Sequence, residues 1–516
     1  MRLLFALSSP EYFRFFDDTM FELVRRGHEV TVAVDVVRPG KPVPLDALTR
    51  GPEHVAVAGV VPRRADGWEG LAGAVRGTQD FIRYLHPALS SAARLRARAR
   101  SQALPWCLQW LDRRRSLPAA TVNRLMRWLA AVERHIPVSA TVTRFLEGLS
   151  PDLVLVSPLV EHRSEQVDLV RAAQARGIKV ATLVASWDNL TNKGDLRVAT
   201  DLVTVWNDEQ RDEAIAFHRV TPESIVVTGA QVFDRWFDRA PSTSREEFCQ
   251  QVGLRSTRPF VLYTGSSIFV ARAEAEMPFV RRWVEALRRS ADPAVAGLSV
   301  LVRPHPYNGR AWRPEVLADL PDVAVWPSGG FDPIDEGHRA GLFDSLSHAS
   351  AVVGLNTSAM IEAAIVGRPV LSIELPEFAG SQGETLHYRH LLPENGGFLR
   401  VAASLDEHAS QLSAVLANPE VSEAELARFV ERFVRPHGLG RPAMPVLVDA
   451  IERCIATAMP ARAGDAAPAV TGNGLWTAAL WLVARATPLF PPASLRRRSG
   501  AARPAKKIDS PKSASR

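Results

Sequence analysis

Apolar residues recur along this chain in short unbroken runs, each closed by polar or small residues and followed by a stretch of helical period. Arg2–Ala6 is the first run, Glu11–Arg26 the first helical stretch, stopped at Gly27, and Glu29–Val34 the next run. A continuous apolar run flanked by helices is the mark of a strand buried on both faces, and parallel strands need such crossover helices between them. The alternation continues through Leu153–Ser157, Lys179–Leu183, Leu202–Trp206 and Ser224–Thr228. It lapses at Pro241-Ser242-Thr243-Ser244 and resumes with Phe260–Thr264, Ser299–Arg303, Val323–Val325, Ala351–Leu355, Val370–Ile373 and Phe398–Val401. Two such series joined by one connector predict an α/β chain of two doubly wound parallel sheets facing a cleft.

Two segments break the pattern. Residues 69–147 form a helical, Arg-rich insertion in which Trp106, Trp110 and Trp128 stand among Arg94, Arg96, Arg98, Arg100, Arg113, Arg114, Arg115, Arg124 and Arg127. Met459–Gly474 is rich in Ala, Gly and Pro and reads as a linker; Leu475–Ala484 is apolar but shorter than the ~20 residues of a spanning helix. The expected organisation is a first domain over 1–240 carrying the insertion, a second over 255–455, and a segment 460–516 with a short apolar helix and a basic tail.

Charge changes this picture more by its placement than by its amount. The net charge is +6 over 516 residues, yet residues 71–135 hold twelve Lys and Arg against three acids, and 460–516 hold ten against two. Cations concentrated in two segments suit an acidic partner. The insertion reads either as an amphipathic helical subdomain with a solvated basic outer face, or as a surface for anionic membrane lipid or a lipid-linked acceptor, with Trp and Leu inserted and Arg on phosphates. Nucleic acid is disfavoured because no recognition module accompanies the charge. Cys107, Cys249 and Cys454 show neither disulfide nor zinc spacing, which fits a reducing compartment. The Met1–Leu7 run is too short for a signal sequence and is better read as a first strand. A cytoplasmic protein, peripheral on the inner membrane face, is expected.

The candidate chemistry lies at strand ends of the second series. Ala351–Leu355 runs into Asn356, Thr357 and Ser358, where a helix begins, with Glu362 one turn further on. Free backbone N–H groups and hydroxyls there suit a pyrophosphate, and Glu362 suits a sugar hydroxyl. Arg303-Pro304-His305-Pro306 closes another strand with a cation and an imidazole, able to neutralise a leaving group. Asp188, in the polar segment Ser186–Gly194 after Lys179–Leu183, is a candidate general base at the cleft rim. Gly229–Asp234 reads as a cleft wall and hinge. No Asp-x-Asp occurs, and His387 and His390 would bind a metal only with a third ligand, so neither metal nor other cofactor is called for.

With RGHEV at Arg26–Val30, the Arg303–Pro306 segment, Asn356-Thr357-Ser358 with Glu362, and Gly367–Val370, the chain resembles GT-B glycosyltransferases. Within them it is similar to CDP-glycerol glycerophosphotransferases and to transferases and epimerases of surface-polysaccharide pathways. The resemblance covers roughly residues 1–455. It implies a donor nucleotide in the second domain, with Gly265, Ser266 and Ser267 along the diphosphate. Arg303 would meet phosphate, His305 the departing oxygen, Thr357 and Ser358 the phosphates, Glu362 a ribose or sugar hydroxyl, and Glu384 and His387 the donor sugar. The first domain would hold a lipid-linked or polysaccharide acceptor. Many inverting members place a histidine after the first strand; here that place falls near Tyr12, leaving Glu11, Asp17 or Asp18 as alternative bases. The implied activity is metal-independent transfer of a sugar or polyol phosphate to a cell-envelope acceptor. A UDP-sugar 2-epimerase and a non-catalytic nucleotide-binding protein are the alternatives.

Overall fold

The computed structural model describes residues 1–36, 54–329 and 335–457. The expected linker, apolar helix and basic tail of 460–516 lie outside these residues. Seven parallel strands make the first sheet: β1 Arg2–Leu7, β2 Glu29–Val34, β3 Ala56–Val60, β4 Leu153–Ser157, β5 Lys179–Leu183, β6 Leu202–Val205 and β7 Ile225–Val227. Their order is β3-β2-β1-β4-β5-β6-β7. The second sheet comprises β8 Phe260–Thr264, β9 Ser299–Arg303, β10 Val323–Val325, β11 Ala351–Gly354, β12 Val370–Ile373 and β13 Arg400–Ala402, in the order β10-β9-β8-β11-β12-β13. Both sheets are parallel throughout and reverse their winding beside the first strand of each series. That reversal opens a crevice at the carboxyl edge, where ligands bind in folds of this kind.

The continuous apolar runs end up where their pattern requires: every residue of β4, β5, β8 and β9 is buried. Strand β3 escapes the pattern because it is a half-exposed edge strand containing Gly59 at φ +84°, with a register shift opposite Val32 and Ala33. The expected helix over Glu11–Arg26 divides into a 3-10 segment, Pro10–Phe15, and an α-helix, Asp17–Arg25. Phe16, at φ −133° and ψ 5°, breaks the helical path between them. The break lets Phe13, Phe16, Met20 and Leu23 all reach the core while Glu11 and Tyr12 stay at the cleft.

The insertion is helical as expected, with helices Glu69–Ile82, Ala93–Gln102, Ala119–His135 and Ala140–Leu149 between β3 and β4. Leu71, Val75, Phe81, Leu85, Val122, Met126 and Leu129 form its own apolar centre. A buried ion network fastens it to the first domain. Arg76 donates to Glu133 at 2.8 Å and to both oxygens of Asp168 at 2.8 and 2.9 Å, and Asp168 belongs to the helix that follows β4. The insertion also reaches the second domain, through Leu386 in its apolar centre and through Arg389, which donates to Ser91 Oγ at 3.1 Å.

The last described helix, Ala443–Ala456, was expected to belong with the second sheet. Instead Leu447, Val448, Ala450, Ile451 and Cys454 pack on the first, beside Leu3, Phe5 and Leu183. Asp234 is what holds it there. Its carboxylate accepts the helix's first free amides, Ala443 N–H at 3.0 Å and Met444 N–H at 2.6 Å, and pairs with Arg435 at 3.0 Å. The Gly229–Asp234 segment therefore anchors a second crossing of the chain between the two sheets, with Ala230 N–H donating to Val434 O at 2.9 Å.

Candidate functional site

The two carboxyl edges enclose a cleft of about 1360 Å³. Of the residues expected to act, Glu11, Asp188, Gly265, Ser267, Arg303, His305, Asn356, Thr357, Ser358, Glu362 and His387 line it. Ser266 and Glu384 do not. Ser266 is fully buried, gives its N–H to Glu276 at 2.8 Å and accepts from Asn308 at 2.8 Å, so it faces the domain core. Glu384 is exposed and attracts Arg94 of the insertion.

On the second-domain wall, Arg303 ends β9 with its guanidinium under the Trp326 ring, 5.1 Å from the centroid, and donates to Gly341 O at 3.2 Å and Ser345 Oγ at 3.1 Å. Burial pulls it down to about 10, so it remains a cation at neutral pH. Among the described residues no carboxylate forms an ion pair with it. Its position depends on Gly265. A Cβ there would lie 2.8 Å from His305 N and 3.1 Å from Arg303 O, so only glycine lets the loop after β8 pass this close. His305 accepts from the Tyr307 N–H through Nδ1 at 3.1 Å, which leaves the proton of the neutral ring on Nε2.

The turn after β11 lines the cleft with Asn356, Thr357 and Ser358. Its helix, Ala359–Ile365, has seven residues, and neither Thr357 nor Ser358 makes a good side-chain cap. Asn356 is engaged internally, donating to Ser381 O at 2.7 Å and Thr385 Oγ1 at 3.2 Å, which fixes the 381–387 loop. Glu362 lies at the cleft floor, half-buried. Burial pushes it up to about 7 against the pull of Arg14 and Arg303, so near neutral pH it can either accept or donate a proton.

The first-domain wall carries a cluster that was only partly foreseen. Lys193 Nζ donates to Tyr12 OH at 2.6 Å and pairs with Glu161. Burial works against the Lys193 charge, but Tyr12, Glu161 and Asp188 outweigh it and raise its pKa; burial pushes Tyr12 up to about 12. Lys193 is thus charged and Tyr12 neutral. Asp188 accepts from Asn192 at 2.9 Å. Burial pushes its carboxyl up, yet His387, Lys193 and Asn192 outweigh this and hold it below the usual range. His387 packs edge-on to Trp187 at 4.8 Å, and burial lowers it to about 4, so it is neutral. Glu161 and His162 were missed; the signal was a polar pair just beyond the carboxyl end of β4.

A third wall comes from the insertion. Arg94, Arg98 and Gln102 project into the cleft from helix Ala93–Gln102. Arg94 donates to Phe269 O at 2.8 Å, and Arg98 donates to Asn192 at 2.9 Å. The insertion helix thereby touches both domains across the cleft mouth. A second bridge crosses near the floor, where Asp17 pairs with Arg235 at 2.6 Å and with Arg339 of the second domain at 2.6 Å. Among the described residues no group of three or more His, Cys, Asp or Glu could hold a metal ion, and no helix is long and apolar enough to cross a membrane.

Glu276, behind the Ser266 loop, gives a pH-dependent stability. Fully buried, it accepts from Tyr263 OH at 3.0 Å, and burial pushes it up to about 7 from an ordinary 4.5. The native state therefore holds a proton that the unfolded chain releases near pH 4.5. This contribution is fully present below that pH, falls as pH rises toward 7 and is gone above it, a loss on the order of 3 kcal/mol. Glu276→Gln, which keeps an acceptor for the Ser266 N–H, should flatten the urea-midpoint profile between pH 5 and pH 8. An unchanged slope would show that Glu276 does not titrate in this window.

No family model matches the chain, and no curated protein does. Solved structures do. UDP-GlcNAc 2-epimerase from Neisseria meningitidis, bound to UDP-GlcNAc, is similar at a TM-score of 0.51 and 12% identity, over 88% of this chain and 100% of that one. A glycosyltransferase from Rickettsia africae scores 0.49 at 10% identity, covering 89% and 99%. A wall teichoic acid polymerase scores 0.44 at 10%, covering 88% and 89%. At such identities the likeness concerns the fold, and the fold is GT-B.

Proposed function

We propose that this GT-B protein is a transferase that uses a nucleotide-activated donor. The observation that carries the reading is Arg303, a buried guanidinium at the carboxyl edge of β9, opening on the cleft with no carboxylate in ion-pair contact among the described residues, Glu362 attracting it from beyond that distance. A cation held this way by protein acceptors suits a phosphate arriving with the ligand.

In this reading the donor's diphosphate lies against Arg303, His305 and the Thr357–Ser358 turn, with Glu362 on a ribose or sugar hydroxyl. The acceptor, a lipid-linked or polysaccharide hydroxyl, lies against the first-domain wall. Its oxygen forms the new bond to the donor carbon or phosphorus while the bond to the leaving phosphate breaks. The proton passes to a carboxylate, Asp188 or Glu11. The negative charge on the departing oxygen is met by Arg303 and the Nε2–H of His305. Sugar or polyol phosphate as the transferred group, and a cell-envelope acceptor, rest on the sequence resemblance.

The test is thermal stabilisation by UDP, CDP, GDP, dTDP and ADP, followed by turnover with the sugars and polyols of the nucleotide that binds. One nucleotide should raise Tm selectively, and the Thr357→Ala/Ser358→Ala variant should lose most of that shift. Interconversion of a UDP-sugar without any acceptor would replace the transferase reading by an epimerase. Binding without turnover of any donor would leave a nucleotide-binding protein. No shift with any nucleotide would overturn the donor site itself.

A further inference from the structure

The insertion has an outer face that the cleft does not use. Trp106, Trp110 and Trp128 are 37, 58 and 61% exposed, and among the described residues every tryptophan that counts as an exposed large hydrophobic lies in this one subdomain. The 3-10 helix Trp106–Arg113 buries none of its residues, although four of its eight are Trp or Leu, at positions 106, 108, 110 and 111. Trp110 and Trp128, the more exposed of the three, are large aromatic rings turned to water on a subdomain with its own packed centre.

The charge around them has one sign. Arg113 ends the 3-10 helix and Arg114 and Arg115 follow it, all exposed, and Arg124 and Arg127 flank Trp128 on helix Ala119–His135. None of these five pairs with a carboxylate among the described residues. Asp112, the acid of this stretch, faces inward and holds Arg96 at 3.4 Å and Arg100 at 3.0 Å. Indole rings beside unpaired guanidinium groups match the bilayer interface, where the ring sits among headgroups and the cation meets lipid phosphate.

We infer that this face docks the protein onto an anionic lipid surface. Its connection to the cleft is short. Helix Ala93–Gln102 presents Arg94 and Arg98 to the cleft and, on its other side, Arg96 and Arg100 to Asp112 of the tryptophan-bearing turn. Arg96 also donates to Arg115 O at 2.9 Å. One helix thus separates the docking face from the cleft mouth, and docking would bring the cleft's third wall to the membrane. The inference stands without the transferase reading, since it rests on the opposite side of that helix.

The test is co-sedimentation of the full chain with phosphatidylcholine vesicles, with and without phosphatidylglycerol. Binding should require the anionic lipid, weaken with salt and shift Trp emission to the blue. Because the full chain also carries the basic residues after 457, the insertion variants decide the matter. Trp110→Ser/Trp128→Ser should abolish the emission shift, and Arg113→Gln/Arg114→Gln/Arg115→Gln should weaken vesicle binding on the order of a hundredfold. Both should keep the wild-type Tm and nucleotide response, which separates a failed docking face from a failed donor site. Equal binding to neutral vesicles, no vesicle binding, or undiminished binding by the variants would each overturn the inference. Retention of RNA in place of vesicles, lost in the Arg variant, would assign the face to nucleic acid and overturn it as well.

Discussion

Arg303→Ala should weaken binding of the cognate nucleoside diphosphate by about ten- to a hundredfold, the ~1.5–3 kcal/mol of a hydrogen bond to a charged partner. The side chain is positioned before any ligand arrives. Trp326 covers one face of the guanidinium, and Gly341 O with Ser345 Oγ take two of its donor directions. The phosphate would then find a fork already desolvated and aimed. Arg303→Lys should recover part of the affinity but not the geometry, because an ammonium on a flexible stem cannot reproduce two parallel donors. Calorimetric titration of both variants beside the wild type checks this, with circular dichroism to show that the fold is kept. A loss below twofold in a folded Arg303→Ala protein would move the phosphate away from β9.

The largest stability effect is expected far from the cleft floor. Arg76→Ala should cost about 3–5 kcal/mol, because it strips the main cation from two carboxylates, Glu133 and Asp168, that are both nearly inaccessible to water. Arg64 at 3.2 Å from Asp168 and Arg171 at 3.7 Å from Glu133 remain, but neither bridges the two acids. The damage should concentrate at the joint between insertion and sheet. Hydrogen exchange should speed up across 69–149 well before it does in β1, β4 and β5. Urea denaturation gives the magnitude. Adding Glu133→Gln to the variant should restore part of the loss, since one uncompensated buried charge disappears. A loss under 1 kcal/mol would mean that water reaches the network and that the insertion is held by its apolar contacts alone.

What could be read from the sequence divides along a physical line. Strands β4, β5, β8 and β9 were legible because burial on both faces leaves nothing but apolar residues in them. Strand β3, at a half-exposed edge, carries no such pattern. Arg303, His305, Thr357 and Glu362 were legible because a polar residue just past a buried strand must lie at the carboxyl edge. Ser266 follows the same rule and still faces the core, since Glu276, ten residues on, captures its amide. The Tyr12–Lys193–Glu161 cluster joins segments 181 and 32 positions apart, and nothing local in any of them announces the others. The insertion shows the same limit. Its helices and basic character were plain, but which arginines turn inward to Asp112 or the cleft and which stay in water is decided by packing.

The return of helix Ala443–Ala456 to the first sheet makes the second domain, in topological terms, a guest spliced into the first. Its two ends leave and rejoin the host side by side, at Ala230 and Val434. Truncating the chain before residue 443 would therefore not trim the guest but unroof the host, baring Leu3, Phe5 and Leu183 to solvent. The natural unit to excise is the stretch between the two crossings, and the natural unit to leave behind is a first domain closed over the gap by a short loop.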